Sequence, residues 1–399
     1  MKATEYIART EEAVFHTYNR FPVVFESSDG VYLKDTDGKE YLDFGAGIAV
    51  FALGYGNEYY KNALKNQIDK LIHTSNLYYS IPLMEAAEKL RDKSGMDKVF
   101  FTNSGTEAIE GAIKAARKYS LLKYGPERYE IISMEHSFHG RSTGALAVTG
   151  NAHYRDPFGP LMDGIRFANY NDIESVKALV SDKTCAIILE TVQGEGGIYP
   201  ADPAFLAGIK EICDRNDILL ILDEIQCGMG RCGSYFVWQK YGTAPDIMTT
   251  AKALGCGVPV GAFVLNKKVA GASMVPGDHG TTYGGNPLAC AAVSAVFDQF
   301  EELHLIDHVR EVTPYFEEKL DALTQKYDFL KERRGMGFMQ GIEVKEGTSA
   351  GTIAAKALEA GLVILTAGSN VLRFVPPLVI EKTDIDEMIK RLETVLDTL

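Results

Sequence analysis

Between residues 98 and 265 the chain alternates short, nearly continuous apolar runs with stretches of helical periodicity. The runs fall at 98–102, 130–134, 186–189, 218–222 and 261–265. A strand with one face in water alternates apolar and polar residues, whereas a strand that is apolar at consecutive positions is covered on both faces. Strands of the second kind separated by helices define an α/β domain with a mainly parallel sheet. Ligands of such sheets bind beyond the carboxyl ends of the strands, so the residues just after each run are the candidates for chemistry.

The flanks read differently. Residues 31–44 form an extended stretch with a turn-prone Asp37-Gly38, and a helix is predicted around 59–72. After Asn286 the pattern turns mostly helical, and the last helix is expected to start near Thr383 with Thr383 and Asp386 as a variant capping box. A chain of 399 residues exceeds the usual size of one core. The expected division is a large domain at 51–285 and a small one at 286–399, with an N-terminal segment, 1–50, packing on the small domain.

Composition removes several classes of function. The formal charge of −13 is spread along the chain, which argues against a general polyanion binder, so nucleic acid is not an expected partner. The first ten residues hold no continuous apolar stretch and no later segment approaches a membrane span. No membrane partner and a cytoplasmic location are therefore expected. The six cysteines, at 185, 213, 227, 232, 256 and 290, form neither a CxxC pair nor a disulfide scaffold; reduced thiols and no metal are expected.

Several strand ends carry candidate chemistry. Thr102-Asn103-Ser104-Gly105-Thr106-Glu107 opens a helix with apolar positions Ile109, Ala112, Ile113 and Ala116. Ser104 and Glu107 make a capping box that needs no ligand, or the helix end, Gly105 and two hydroxyls make a cup for phosphate. Asp223 either caps the turn after 218–222 or keeps a pyridine nitrogen protonated. Lys252 stands among small and apolar residues, Thr249-Thr250-Ala251-Lys252-Ala253-Leu254-Gly255. An amine desolvated there is partly neutral and becomes a nucleophile toward a carbonyl. Phe138, in Phe138-His139-Gly140-Arg141, packs in the core or covers a flat ring. Arg373, flanked by apolar residues, pairs internally or grips a carboxylate, and Glu195 is either its internal partner or a turn residue. Two other patterns compete. Gly228, Gly230 and Gly233 match a dinucleotide fingerprint, with Asp246 as the ribose acid, but no helix start follows them. His136 and His139 lack the spacing that completes a metal site.

With Ser104-Gly105-Thr106, Phe138-His139-Gly140-Arg141, Asp223-Glu224-Ile225-Gln226 and Lys252 in this order, the chain resembles the class III (subgroup II) aminotransferases of fold type I. The resemblance begins at Thr17-Tyr18-Asn19-Arg20-Phe21-Pro22, passes through Tyr41-Leu42-Asp43-Phe44 and ends with Leu372-Arg373-Phe374-Val375-Pro376-Pro377-Leu378. It implies a large domain with a mainly parallel, mixed seven-stranded sheet, a smaller α+β domain, and pyridoxal 5'-phosphate as cofactor. By the same resemblance Lys252 carries the cofactor covalently, Asp223 pairs with the pyridinium nitrogen and Gln226 contacts the phenolic oxygen. Phe138 and Ile225 cover the two faces of the ring, Ser104, Gly105 and Thr106 bind the phosphate, and Glu224 belongs to the same site. Thr282 looks like the threonine that reaches the phosphate of a neighbouring subunit, which implies a homodimer with shared active sites.

Within the family, Ser75-Asn76-Leu77-Tyr78-Tyr79 after His73 looks like the acetylornithine branch, and 367–373 lacks the tyrosine-containing insertion frequent in 4-aminobutyrate enzymes. Ile109 stands where the family often has asparagine, and Thr191 where it often has proline. The branch implies transfer of the terminal amino group of N2-acetyl-L-ornithine to 2-oxoglutarate, giving N-acetyl-L-glutamate 5-semialdehyde and L-glutamate. Arg141 then holds the acetylornithine carboxylate and Arg373 the α-carboxylate of glutamate, with Glu195 neutralising Arg373 between halves. Tyr18 and Thr281 complete the implied substrate site. Ornithine, succinylornithine and 4-aminobutyrate aminotransferases share the cofactor residues and stay as alternatives, and a nicotinamide-dependent dehydrogenase rests on the glycine fingerprint.

Overall fold

In the computed structural model, which describes residues 1–399, every apolar run becomes a strand: Lys98–Thr102, Glu130–Met134, Thr184–Glu190, Leu219–Asp223 and Gly261–Leu265, together with Ile247–Thr250 before Lys252. A further strand, Ile165–Ala168, joins the sheet at its edge. The exposed Arg166 breaks its apolar run, so periodicity alone leaves it unmarked. The seven strands form one sheet in which only Gly261–Leu265 runs against its two neighbours. The class is therefore α/β with a mixed, mainly parallel sheet, as expected.

The sheet is apolar at successive positions because both faces are covered. Ala186, Ile188, Leu219 and Ile221 pack toward the helix Gly105–Tyr124, whereas Ile187, Leu189, Leu220 and Leu222 pack toward the helix Pro203–Asn216. Each such leucine or isoleucine stabilises the fold by about 1.5–3 kcal/mol relative to exposure. Gly111 lets the first helix approach closely, since a Cβ there would lie 2.2 Å from Phe263. That contact holds the helix amino end at the carboxyl edge of the sheet.

The flanking regions build a buried cluster that continues onto the sheet through Phe101, Met248, Ala262 and Val264. Strands Phe25–Asp29, Tyr32–Asp35 and Glu40–Asp43 form an antiparallel ribbon, and Leu362–Val363 adds in parallel beside Glu40–Asp43. The region after Asn286 is less helical than its pattern predicts. It contains a four-stranded antiparallel sheet, Leu330–Met336, Met339–Val344, Val371–Phe374 and Leu365–Ala367. The helices Leu305–Lys326 and Lys382–Leu396 share a core with it through Phe316, Leu320, Leu372, Phe374 and Leu392. The helix Pro287–Glu302 packs on Glu58–Lys70 and Ile81–Ser94. The final helix does not use the expected Thr383–Asp386 box: the Asp384 carboxylate accepts from the Glu381 amide at 2.8 Å, while Asp386 is taken by Tyr315 and Lys319. No helix is long and apolar enough to cross a membrane.

Candidate active site

Three neighbouring strands end in polar residues at one level. Strand register sets Asp223 beside Glu190 on one side and Thr249 on the other, all on the face that carries the helix Gly105–Tyr124. Asp223 is 3% exposed. One of its oxygens accepts from the Ile225 amide at 3.0 Å and the Thr249 hydroxyl at 3.2 Å, and the other meets Nδ1 of His139 at 2.7 Å. Ionised carboxylates offer about four acceptor sites, so one remains for a further donor. Glu190 accepts from the amides of Phe138 and Gly194 at 3.0 and 2.9 Å. Burial pushes its carboxyl up to about 7 against the opposing pull of His139.

Lys252 follows the strand Ile247–Thr250 and lines the same cavity as Asp223 and Glu190, in a short turn at φ 48°, in the left-handed region. Burial pulls its amine down to about 8, with Glu195 acting against that shift and Arg373 adding to it. A partly neutral amine is the form a nucleophile needs. At the helix end Ser104 accepts from the Glu107 amide at 3.3 Å. The Glu107 carboxylate reaches back to the Asn103 amide at 2.8 Å rather than to Ser104. The cap forms, and the Gly105 and Thr106 amides head the helix beside the cavity that both residues line, where a phosphate could be received. The Thr106 hydroxyl is engaged with the next loop, meeting Ser142 Oγ at 2.9 Å and accepting from the Arg141 amide at 3.2 Å.

These groups line one cavity of about 420 Å³. Ser104, Gly105, Thr106 and Asp223 border it together with Phe138, Ile225 and Lys252. Arg141, Glu195 and Gln226 complete the predicted residues on its wall. Arg373, 4% exposed, reaches the wall through its partners: Nη1 donates to Glu195 at 2.5 Å and to Gln226 at 3.2 Å. Arg373 therefore pairs internally with Glu195, and the guanidinium outweighs burial to hold the Glu195 carboxyl below its usual range.

Other expected residues stand elsewhere. Glu224 points to the opposite side from Asp223, because consecutive residues at a strand end alternate in direction. Its carboxylate accepts from the amides of Val237 and Trp238 at 2.8 and 3.0 Å and from Thr191 at 3.0 Å, so it caps the helix Val237–Tyr241 instead of lining the cavity. Thr281 accepts from Asn103 Nδ2 at 3.1 Å behind the wall, and Thr282 is exposed on the same loop. Tyr18 is 71% exposed. The glycine fingerprint is a packing turn: Gly230 lies against Phe300 and Leu378, the next helix begins only at Val237, and Asp246 is occupied by the Leu220 amide and Asn266. A dinucleotide has no helix amino end there. Sequence reasoning missed the roles of Glu190, Thr249 and His139. Glu190 carries the same signal that marks Asp223, an acid ending a buried strand, whereas nothing local to the Phe138-His139-Gly140-Arg141 motif points His139 toward Asp223.

The donor set suits a phosphorylated pyridine aldehyde. It offers helix amides for a phosphate, a fixed buried carboxylate with one acceptor site left for a ring N–H, an aromatic and an aliphatic side chain for the ring faces, and a lowered amine. A family model described as aminotransferase class-III matches residues 13–396. The chain belongs to the class III aminotransferases, and it is a pyridoxal-phosphate-dependent transaminase of fold type I. It is 50% identical over 378 residues to an acetylornithine aminotransferase of Methanocaldococcus jannaschii, covering 95% of this chain and 94% of that one. It is 47% identical to one of Caldanaerobacter subterraneus, covering 98% and 99%. Among solved structures, ornithine aminotransferase from Toxoplasma gondii superposes with a TM-score of 0.95 at 29% identity, over 100% of this chain and 96% of that one. N-acetylornithine aminotransferase from Stenotrophomonas maltophilia gives 0.84 at 34%, over 98% of each.

Proposed function

We propose that the chain transfers the terminal amino group of N2-acetyl-L-ornithine to 2-oxoglutarate. The observation that carries the donor is Arg141, exposed at the cavity rim and lying over aromatic rings. A guanidinium so held keeps its in-plane donors for a substrate carboxylate, the one charge acetylornithine retains beside its terminal amine. The acetylornithine aminotransferases among its relatives support the same reading.

Bound pyridoxal phosphate supplies a ring that draws negative charge from the carbon bearing the reacting amine. Lys252 holds the cofactor between turnovers and, once free, moves a proton at Nζ to and from that carbon. Asp223, fixed by Ile225, Thr249 and His139, holds the ring N–H. Glu195 neutralises Arg373 while acetylornithine is bound. For glutamate and 2-oxoglutarate it swings away, leaving Arg373 for the α-carboxylate and Arg141 for the distal one.

The working unit in this reading is a homodimer. Leu77, Tyr78, Tyr79, Ile81 and Met84 are exposed, and Tyr79, Ile81 and Met84 line a cleft of about 530 Å³ whose wall holds no carboxylate, lysine or histidine. A second copy suits such a surface, and Thr282 on the adjoining loop then serves the partner's phosphate. The buried, unpaired cysteines suit a reducing, cytoplasmic setting.

The test is kcat/KM with 2-oxoglutarate for N2-acetylornithine, ornithine and 4-aminobutyrate. The acetylated donor is expected to lead. Either rival ahead of it moves the chain to a sister branch. Arg141→Ala is expected to lose about 1.5–3 kcal/mol, roughly ten- to a hundredfold in kcat/KM, mostly in KM.

A further inference from the structure

Arg141 is a long, exposed side chain asked to meet a carboxylate in one geometry, so something must restrain it. Its backbone is tied down. The Arg141 amide donates to Thr106 Oγ1 at 3.2 Å, and Gly140 packs so closely that a Cβ would lie 2.2 Å from the same hydroxyl. Glu110 accepts from the Ser142 hydroxyl at 2.6 Å and from the Gly144 and Ala145 amides at 3.0 Å each. The side chain is restrained differently: its guanidinium carbon lies 3.8 Å from the ring centroid of Tyr154 and 5.4 Å from that of Phe138.

We propose that Tyr154 is a positioning residue for substrate specificity, bracing Arg141 so that its donors face the substrate carboxylate; this rests on the role of Arg141 given above. A carboxylate brace would occupy the donor fork. An aromatic face leaves the fork open, because the N–H groups lie in the guanidinium plane and the ring contacts the face of that plane. Tyr154 is itself held. It lies on the short helix Ala152–Arg155, where Asn151 accepts from the His153 amide at 3.0 Å. Arg155 donates to the Thr149 carbonyl at 3.1 Å and stacks 4.3 Å from Phe167. The Tyr154 ring also meets Phe138 edge-on at 6.0 Å, so one ring touches both the carboxylate-binding arginine and the aromatic that covers the cofactor.

The experiment compares Tyr154→Leu, Tyr154→Phe and Arg141→Ala in the holoenzyme. KM and kcat are measured for N2-acetylornithine and glutamate. N-acetyl-1,4-diaminobutane, the donor without its carboxylate, is measured as donor or competitive inhibitor. Tyr154→Leu is expected to raise KM for both carboxylate substrates roughly two- to fivefold, the scale of an exposed cation–π contact. It should leave kcat, the carboxylate-free analogue, the melting temperature and the cofactor absorbance unchanged. Tyr154→Phe keeps the ring face and should behave as the parent. Unchanged KM in Tyr154→Leu, with Arg141→Ala impaired, overturns the brace alone. Equal losses on all three substrates, or no rescue by phenylalanine, also overturn it by assigning Tyr154 to support of Phe138 or to its hydroxyl. If Arg141→Ala leaves acetylornithine kinetics intact, the role of Arg141 fails and the brace falls with it.

Discussion

Lys252 occupies φ 48°, a backbone conformation that costs a non-glycine residue about 1–3 kcal/mol. Buried Ala253 and Leu254 hold the turn in place, so the strain sits at the residue proposed to carry the cofactor. Lys252→Ala is expected to bind cofactor noncovalently and to lose turnover. Borohydride followed by peptide mapping should label Lys252 in the parent and nothing in the variant; a label on another lysine contradicts the assignment. With the amine near 8, the rate at which apoprotein takes up cofactor covalently should climb with pH up to about 8 and then level off, since only the neutral amine attacks. A rate still climbing at pH 10 would mean an ordinary, solvated lysine. His139 acts one step back: it fixes the Asp223 oxygen that no backbone amide holds. His139→Leu should weaken cofactor binding by about 1–3 kcal/mol, read from the dissociation constant.

At the scale of elements, the strand end 223–224 divides two acids between two tasks. Asp223 enters the site and Glu224 caps a helix behind it. Burial raises the Glu224 carboxyl to about 7, only partly opposed by its hydrogen bonds, against 4.5 when exposed. A raised folded-state value means that the folded chain binds more protons than the unfolded chain between pH 4.5 and 7. Its contribution is therefore greatest below pH 4.5 and declines as pH rises through 7, by at most about 1.4 kcal/mol per pH unit. The stability of the parent minus that of Glu224→Gln, from denaturant titrations, should fall between pH 5 and 7.5. A flat or rising difference sinks the idea. The helix cap offers a second check, since Ser104→Ala should cost about 0.5–2 kcal/mol through loss of the contact to the Glu107 amide.

For the whole molecule the question is whether one chain suffices. Thr282 is exposed and outside the cavity of its own chain, while Asn103, one residue before the helix cap, bonds to Thr281 on the same loop. The dimer reading predicts complementation. Mixed dimers of Lys252→Ala and Thr282→Ala chains should regain part of the activity that neither homodimer has, because one site in each hybrid carries no defect. A monomer that is fully active at assay concentration rules the shared site out.

Much of this was legible in the chain itself. Apolar residues at successive positions can be buried only between two layers, so the central strands and the edge where ligands bind followed from the pattern. Asp223 and Lys252 stood out because an acid or amine directly after a buried strand must find a partner. Other features depended on neighbours far apart in sequence. The strand Ile165–Ala168 has no periodic signal and is defined by its pairing with Glu130–Met134. Whether Glu190, Asp223 and Thr249 share a level is a matter of strand register, which no single segment encodes. Arg373 could have met a ligand or a carboxylate, and only the tertiary packing of Val371–Phe374 against the loop at Glu195 decided for the pair. Glu224 turned away from the site because the helix start at Val237 needed an acceptor and lay on its side of the strand. Local sequence determined which groups had to be satisfied; the three-dimensional fold decided by whom, since hydrogen bonds and ion pairs act over a few ångströms of space and are indifferent to distance along the chain.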